Sequence, residues 1–442
     1  MSSNTKICLV GQVLVDVSFL GDNKEPKLRF GGIFHAARAL WAMDCPYILA
    51  YVAPEYMDKE IVKYAKHHGA VTTYKIGNVL GCPNVVTISE LTEAGPQKYE
   101  FLLRDAQECI MDFRIIEKAC KDNISDVLIF PGGYEVDDVF DILKPSQIDV
   151  HIDINFQPEN PKDLARLGRH FATVIISTSS KTFLHHYSGS SANFCNDMLG
   201  KYCETVLLKE NRGGARFFQA LNPELPLKIS AQVRNVQHSI GVGDCFNAIY
   251  IYFRHNMDER TALSYASCVA AEYACTTYPD DFKNAAQATL KIPADEIVKL
   301  KGVSLPWEDR PKCHIYIAAP DFDYIDRRPL EKVLKCLEYH NFTPRRPVIE
   351  NGLMGIDADF DRKQMLCEAD VKLMDECKIM LAVLLSDDPG TLIEIGMGVE
   401  RKMSVIVYDP YNRATNLMLT QLPNLVSSDL DEIITAVFKY AS

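Results

Sequence analysis

Asp388 and Glu394 stand six positions apart in the segment Asp388-Pro-Gly-Thr-Leu-Ile-Glu394-Ile-Gly396. Carboxylates act as nucleophiles and proton carriers, and one that faces a sugar can attack the anomeric carbon to form a covalent glycosyl intermediate. A second set lies upstream, in His238-Ser-Ile-Gly241-Val242-Gly243-Asp244-Cys-Phe246-Asn-Ala248. Two glycines ahead of a helix let backbone amides approach an anion, and the helix N-terminus favours its charge. An Asp at that helix start can take the proton of a hydroxyl as the hydroxyl attacks a phosphoryl group.

Each acid needs an element to hold it. The apolar run Ile379-Met-Leu-Ala-Val-Leu-Leu385 reads as a buried strand that delivers Asp388 and Glu394 to its carboxyl end, where open α/β sheets bind ligands. Pro389 and Gly390 make the turn, and Thr391 is expected to cap the helix. This strand belongs to a series beginning near 313: strand 313–318, helices 328–339 and 361–377, strand 379–385, helix 392–402, strand 404–408 and helix 429–440. Polar residues gather where its strands end. Tyr316 lies in the first strand, Asp370 on the helix before the second, and Asn416 beyond the third.

Upstream, strands are expected at 7–10, 47–51, 127–130, 150–154, 173–176 and 205–208, with helices such as 33–43 and 58–68 between them. Such alternation means a parallel sheet covered by helices, and the stretch 85–103 suits a small lid sheet. Prolines at 293, 306 and 311 interrupt the pattern. The chain therefore reads as an α/β domain at 1–292, a linker at 293–312 and a second α/β domain at 313–442.

Composition agrees with two soluble cores: 442 residues, 47% hydrophobic and 24% charged. A net charge of −12 argues against a nucleic-acid surface. No apolar run reaches membrane-spanning length, and the opening Met-Ser-Ser-Asn-Thr-Lys lacks signal-peptide shape, so a cytoplasmic protein is expected. The 14 cysteines are scattered without a Cys-x-x-Cys pair, which suits reduced thiols and no metal site. His67-His68 and His185-His186 lack partners at zinc-site spacing.

Over 313–442 the pieces Ile315-Tyr-Ile-Ala-Ala-Pro, Asp388-Pro-Gly-Thr, Glu394-Ile-Gly, Tyr408-Asp and Asn416-Leu-Met resemble the nucleoside 2-deoxyribosyltransferase family in order and spacing. The resemblance implies a flavodoxin/Rossmann-like parallel sheet and, with no cofactor, attack by Glu394 on the anomeric carbon of a nucleoside. It implies that Tyr316 orients Glu394, Asp370 protonates the leaving base and Asp388 grips sugar hydroxyls. Asn416 would complete the sugar pocket, commonly of a neighbouring subunit, so a homo-oligomer is expected. Met397 departs from the Tyr that often follows Glu-x-Gly.

Over about 5–290, Gly241-Val-Gly-Asp-Cys-Phe-x-Ala resembles the second signature of ribokinase-like (PfkB) carbohydrate kinases, a family that includes nucleoside kinases. This implies a three-layer α/β/α domain with a small lid sheet, using ATP and Mg²⁺, with Asp244 as base. Gly241, Val242 and Gly243 would form the anion hole, and Asn211 and Gly214 a nucleotide-side turn. Asp16, Gly31, Gly32 and Asn155 would bind the sugar or nucleoside. Three features depart from the pattern, one being a first signature, Gly31-Gly-Ile-Phe-His35, that is one residue short. No Glu falls near Ser177–Lys181, where an Asn-x-x-Glu element is expected, and His238 stands where Asp is common.

Together these imply a bifunctional enzyme of nucleoside or nucleotide metabolism that cleaves or exchanges an N-glycosidic bond and phosphorylates a related sugar or nucleoside. The alternative makes the N-terminal domain a non-catalytic ligand-sensing module.

Overall fold

The computed structural model describes residues 6–20, 25–122, 124–134, 147–155, 164, 170–355 and 359–442. They form two compact units, Met1–Thr92 with Gln97–Ser304, and Glu93–Pro96 with Leu305–Ser442.

The first unit holds strands β1 (Ile7–Leu20), β2 (Glu25–Gly32), β3 (Tyr47–Ala53), β4 (Ala70–Leu80), β5 (Val85–Ile88), β6 (Tyr99–Phe101), β7 (Glu108–Met111), β8 (Asp126–Ile129), β9 (Asp149–Asp153), β10 (Phe171–Ser177), β11 (Cys203–Lys209), β12 (Ala215–Gln219) and β13 (Leu227–Ile229). The main sheet runs β13-β12-β11-β10-β9-β8-β1-β3-β4-β7, and every pair from β11 to β4 is parallel. Strands such as β3 and β10 are buried along their whole length, as expected for a sheet covered on both faces.

Apolar patterning gives a strand at 7–10 and the kinase resemblance carries it to Asp16; β1 continues to Leu20. Ile7–Gln12 pairs within the main sheet, and Val13–Leu20 pairs with β2 and β5 in the lid.

The second unit holds β14 (His314–Ala318), β15 (Thr343–Arg345), β16 (Ile379–Val383), β17 (Ser404–Tyr408) and β18 (Leu425–Ser427). Its order is β15-β14-β16-β17-β18, all parallel. The order reverses between β14 and β16, so the crevice for a ligand lies beyond the carboxyl ends of those two strands.

The expected linker, 293–312, holds the boundary between the two units at Ser304 and Leu305. It carries helix Ala294–Ile297 and a 3-10 turn Trp307–Lys312, and Pro293 and Pro306 occupy the residues just before them. Proline is compatible with a helix start, so these prolines initiate structure rather than interrupt it. Arg310 is fully buried, donating to the carbonyls of Leu305 at 3.2 Å and His340 at 3.3 Å.

Candidate functional site

In the C-terminal unit, β14 and β16 pair in parallel, and sequence-predicted site residues lie on β14 and on the helix that follows β16. Tyr316, on β14, is wholly buried, and its hydroxyl donates to Glu394 Oε1 at 2.6 Å. Glu394 lies on helix Pro389–Glu400, which follows β16. Gly398 lets that helix press on the sheet: a Cβ there would lie 2.8 Å from Met380 Cε. Tyr316 and Glu394 therefore face each other across the point where the strand order reverses.

Burial raises the Glu394 carboxyl, the Tyr316 hydrogen bond lowers it, and the negative charges of Asp370 and Asp388 raise it again, to about 7. Tyr316 is raised by burial and by the Glu394 charge, so the phenol keeps its proton and donates. The group is therefore half-ionised near neutrality, able to attack and to leave.

The helix cap differs from expectation. Asp388, rather than Thr391, is the N-cap: its Oδ2 accepts from the Thr391 amide at 2.7 Å and from the Thr391 hydroxyl at 2.8 Å. Proline at the next position starts the helix there, two residues before Thr391. Asp370, on helix Phe360–Asp375, accepts from Asn351 Nδ2 at 2.8 Å through Oδ1. Sequence reasoning passed over Asn351, although Asn351-Gly352 is a recognisable turn signal. Asn416 stands apart from this group as an exposed N-cap of Leu417–Gln421, accepting from the Met418 amide at 2.9 Å.

In the N-terminal unit the parallel strands β9, β10 and β11 end at Asp153, Ser177 and Lys209. Lys209 Nζ lies 2.8 Å from Asp153 Oδ2, which also accepts from Asn247 Nδ2 at 2.6 Å. Asn155 donates its amide to Asp153 Oδ1 at 3.0 Å and accepts from the Ser177 amide at 2.6 Å. Helix Val242–Phe253 begins beside them with Gly241 at φ 71°. A Cβ at Gly241 would strike the His35 ring at 2.0 Å, so both the conformation and the space require glycine. Asp244 sits in the first turn, raised to about 7 by burial and the Asp153 charge, against the pull of Lys209. Lys209 and Asn247 were not singled out as site residues; a Lys closing an apolar strand carries no motif of its own.

Asn211 takes a left-handed φ of 52°, accepts from Ser177 Oγ at 3.2 Å and leaves its buried Nδ2 unpartnered. Gly214 has φ 96°, and a Cβ there would meet the Ile229 carbonyl at 2.2 Å. A buried amide donor without an acceptor suits an oxygen of a phosphate or a base nitrogen. Ser177–Lys181 offers hydroxyls and no carboxylate, so it supplies no acidic ligand to magnesium.

Asp16, Gly31 and Gly32 come together where β1 meets β2. Asp16 is 2% exposed, with His35 Nε2 at 3.1 Å and Arg29 Nε at 3.7 Å. A Cβ on Gly31 would overlap the Asp16 carboxylate, and Gly32 has φ 58°. Burial pushes His35 down to about 4; burial would raise Asp16, but the hydrogen bond from His35, followed by Arg29 and Arg38, holds its carboxyl below the ordinary value.

At the opposite, amino ends of β8 and β9, Asp126, Asp149 and His255 have the spacing of a metal site. Arg254 fills it, its NH1 lying 3.0 Å from Asp126 Oδ1 and 2.6 Å from Asp149 Oδ2. Among the described residues no helix is long and apolar enough to cross a membrane.

Residues 315–428 match the family model described as nucleoside 2-deoxyribosyltransferase. Comparison with curated proteins found no match. Among solved structures, the ribokinase from Giardia lamblia is 14% identical and has a TM-score of 0.52, covering 65% of this chain and 99% of its own. A fructokinase with bound ATP from Xylella fastidiosa is also 14% identical, with a TM-score of 0.50, covering 65% of this chain and 98% of its own. At that identity the likeness concerns the fold. The chain thus joins a unit with the ribokinase fold to a C-terminal unit whose residues 315–428 match the nucleoside 2-deoxyribosyltransferase family model.

Proposed function

We propose that the C-terminal domain cleaves or exchanges the N-glycosidic bond of a nucleoside or nucleotide through a covalent glycosyl ester on Glu394. The observation that carries this is the 2.6 Å bond from buried Tyr316 to Glu394 at the strand-order reversal. Ionised Glu394 attacks the anomeric carbon, and the C–N bonding pair leaves with the base. Asp370, its Oδ1 held by Asn351, gives the base a proton from its other oxygen. A second base or water, giving its proton to the Asp370 carboxylate, then attacks the anomeric carbon, breaks the ester and restores both Glu394 and Asp370. Asp388 and the Asn416 of a neighbouring copy hold the sugar.

The N-terminal unit, in this reading, transfers phosphate from ATP to a hydroxyl of a related sugar or nucleoside. Asp244, near 7, takes the hydroxyl proton. Amides of Val242 and Gly243, with Lys209, Asn211 and Gly214, hold the nucleotide phosphates. The absent carboxylate at Ser177–Lys181 favours a second reading, a ligand-sensing unit without transfer.

A panel of nucleosides and nucleotides, incubated with and without ATP and read by mass spectrometry, tests both. Base release that is lost in Glu394→Ala supports the glycosyl chemistry, and release that persists in that variant rejects it. ADP formed with a sugar or nucleoside supports transfer; ligand binding without ADP supports sensing.

A further inference from the structure

The resemblance to carbohydrate kinases implies magnesium beside ATP, and the donor set on the phosphate side of the N-terminal unit does not fit that ion. Magnesium is held by one or two carboxylates together with phosphate oxygens and water. Among the described residues, the carboxylates at the carboxyl ends of β9, β10 and β11 are Asp153 and Glu210. Glu210 is 1% exposed and clasped on both oxygens by Arg216, whose Nε and NH2 lie 2.9 and 2.8 Å away. Asp153 accepts from the Asn155 amide through Oδ1 and from Asn247 and Lys209 through Oδ2. β10 ends on Ser177 and runs on through Thr178, Ser179 and Ser180, which offer hydroxyls only. Asp244, in the first turn of the helix, is committed to the hydroxyl proton in the reading above.

A cation of the chain's own stands there instead. Lys209 Nζ lies 2.8 Å from Asp153 Oδ2, with its side chain 12% exposed. A Cβ added to Gly243 would come within 3.0 Å of the same Nζ, so the ammonium reaches the glycine turn that opens helix Val242–Phe253. An ammonium has three N–H donors, and among the described residues Asp153 is its one hydrogen-bond partner. Two donors therefore remain beside the backbone amides of that turn. Asn211, two residues on, adds a buried Nδ2 without a partner. Asn247 leaves its Oδ1 buried and unpartnered, but that oxygen is neutral and brings no charge to hold a divalent ion. A magnesium ion on Asp153 Oδ2 would stand within about 5 Å of the ammonium and be repelled by it.

We infer that the N-terminal site binds its nucleotide as the metal-free polyphosphate, with the Lys209 ammonium supplying the positive charge in place of magnesium. A lysine at a strand end is a compact point charge that phosphate oxygens meet through charge-assisted hydrogen bonds. Asp153 then serves to aim the lysine rather than to hold a metal. This rests on the reading of Gly241–Gly243, Asn211 and Gly214 as the nucleotide side and names the form of nucleotide that side takes.

Calorimetric titration of the full chain with ATP, in EDTA and in excess magnesium chloride, tests the proposal. The native protein is expected to bind ATP in EDTA at least as tightly as in magnesium, within about twofold. Lys209→Met is expected to weaken binding in EDTA by about 10-fold or more. With Asp153 released, that variant is expected to bind ATP more tightly with magnesium than without. Native binding more than about twofold tighter in magnesium overturns the proposal. Binding in EDTA that is unchanged in Lys209→Met, as for ATP held elsewhere in the chain, also overturns it. If Lys209→Met does not fold, the double variant Lys209→Met with Asp153→Asn leaves no uncompensated carboxylate and carries the same expectation in EDTA. Binding seen only with magnesium keeps the nucleotide-side reading and rejects the proposal. No binding in either buffer rejects both.

Discussion

The phenol of Tyr316, on the first strand of the C-terminal sheet, donates to Oε1 of Glu394 across 2.6 Å. Since that bond favours the ionised carboxylate, Tyr316→Phe is expected to move the Glu394 pKa above its present value of about 7. Base release at pH 7 should fall ~10-fold, with the acid limb of the kcat/KM profile displaced to higher pH. An undisplaced limb would mean that Tyr316 does not govern the nucleophile.

The same shift has a stability consequence. Glu394 titrates at about 7 when folded against 4.5 ordinarily, so the folded protein binds more protons between those values. Its contribution to stability therefore declines as pH rises through that window. Glu394→Gln removes the penalty and should be more stable than the native chain at pH 8 by about 1–3 kcal/mol, with little difference at pH 4. Urea unfolding at the two pH values measures this.

Asp126 anchors the amino ends of β8 and β9, fully buried with His151 at 3.1 Å, His255 at 2.9 Å and Arg254 at 3.0 Å. Burial pushes its carboxyl up, but the hydrogen bonds from the two histidines more than offset this and hold it far below the ordinary 3.8. A depressed carboxylate stabilises above its unfolded pKa and loses that contribution as pH falls toward the folded one. His255 is raised by the same bond, so its share is full below 6.5 and fades as pH climbs through its folded value. Asp126→Asn should cost about 3–5 kcal/mol at pH 6, measured by denaturant unfolding, and much less near pH 2.

Asn416 is exposed, and so are its neighbours Leu417 at 72% and Met418 at 60%. If it serves the site of a neighbouring copy, Glu394→Gln and Asn416→Ala are each inactive alone. Mixed and reassembled as dimers they should recover about a quarter of native base release, since half the dimers are mixed and each has one intact site. No recovery in a demonstrated hetero-oligomer would place Asn416 in its own subunit's site or outside any.

What was legible beforehand follows from how each residue announces itself. The strands β16 and β17 are short apolar runs bounded by turn residues, and the acids just beyond them sit in compact motifs. Asn351, Lys209 and Arg29 were not legible, because each gains its place through a partner far away in sequence: Asp370, Asp153 and Asp16. The Asp388 cap was misassigned to Thr391 because both residue types cap helices, and only the position of Pro389 decides between them. Lid strand β2 escaped notice since its pairing, rather than its hydrophobicity, makes it a strand.

The most direct measurement of the central claim is peptide mass mapping of the chain quenched during turnover with a nucleoside or nucleotide whose base it releases. The account predicts a pentosyl adduct on the peptide bearing Glu394, formed as base is released and absent from Glu394→Gln. Base release with no adduct at any time, or an adduct on another residue that survives in Glu394→Gln, would contradict it.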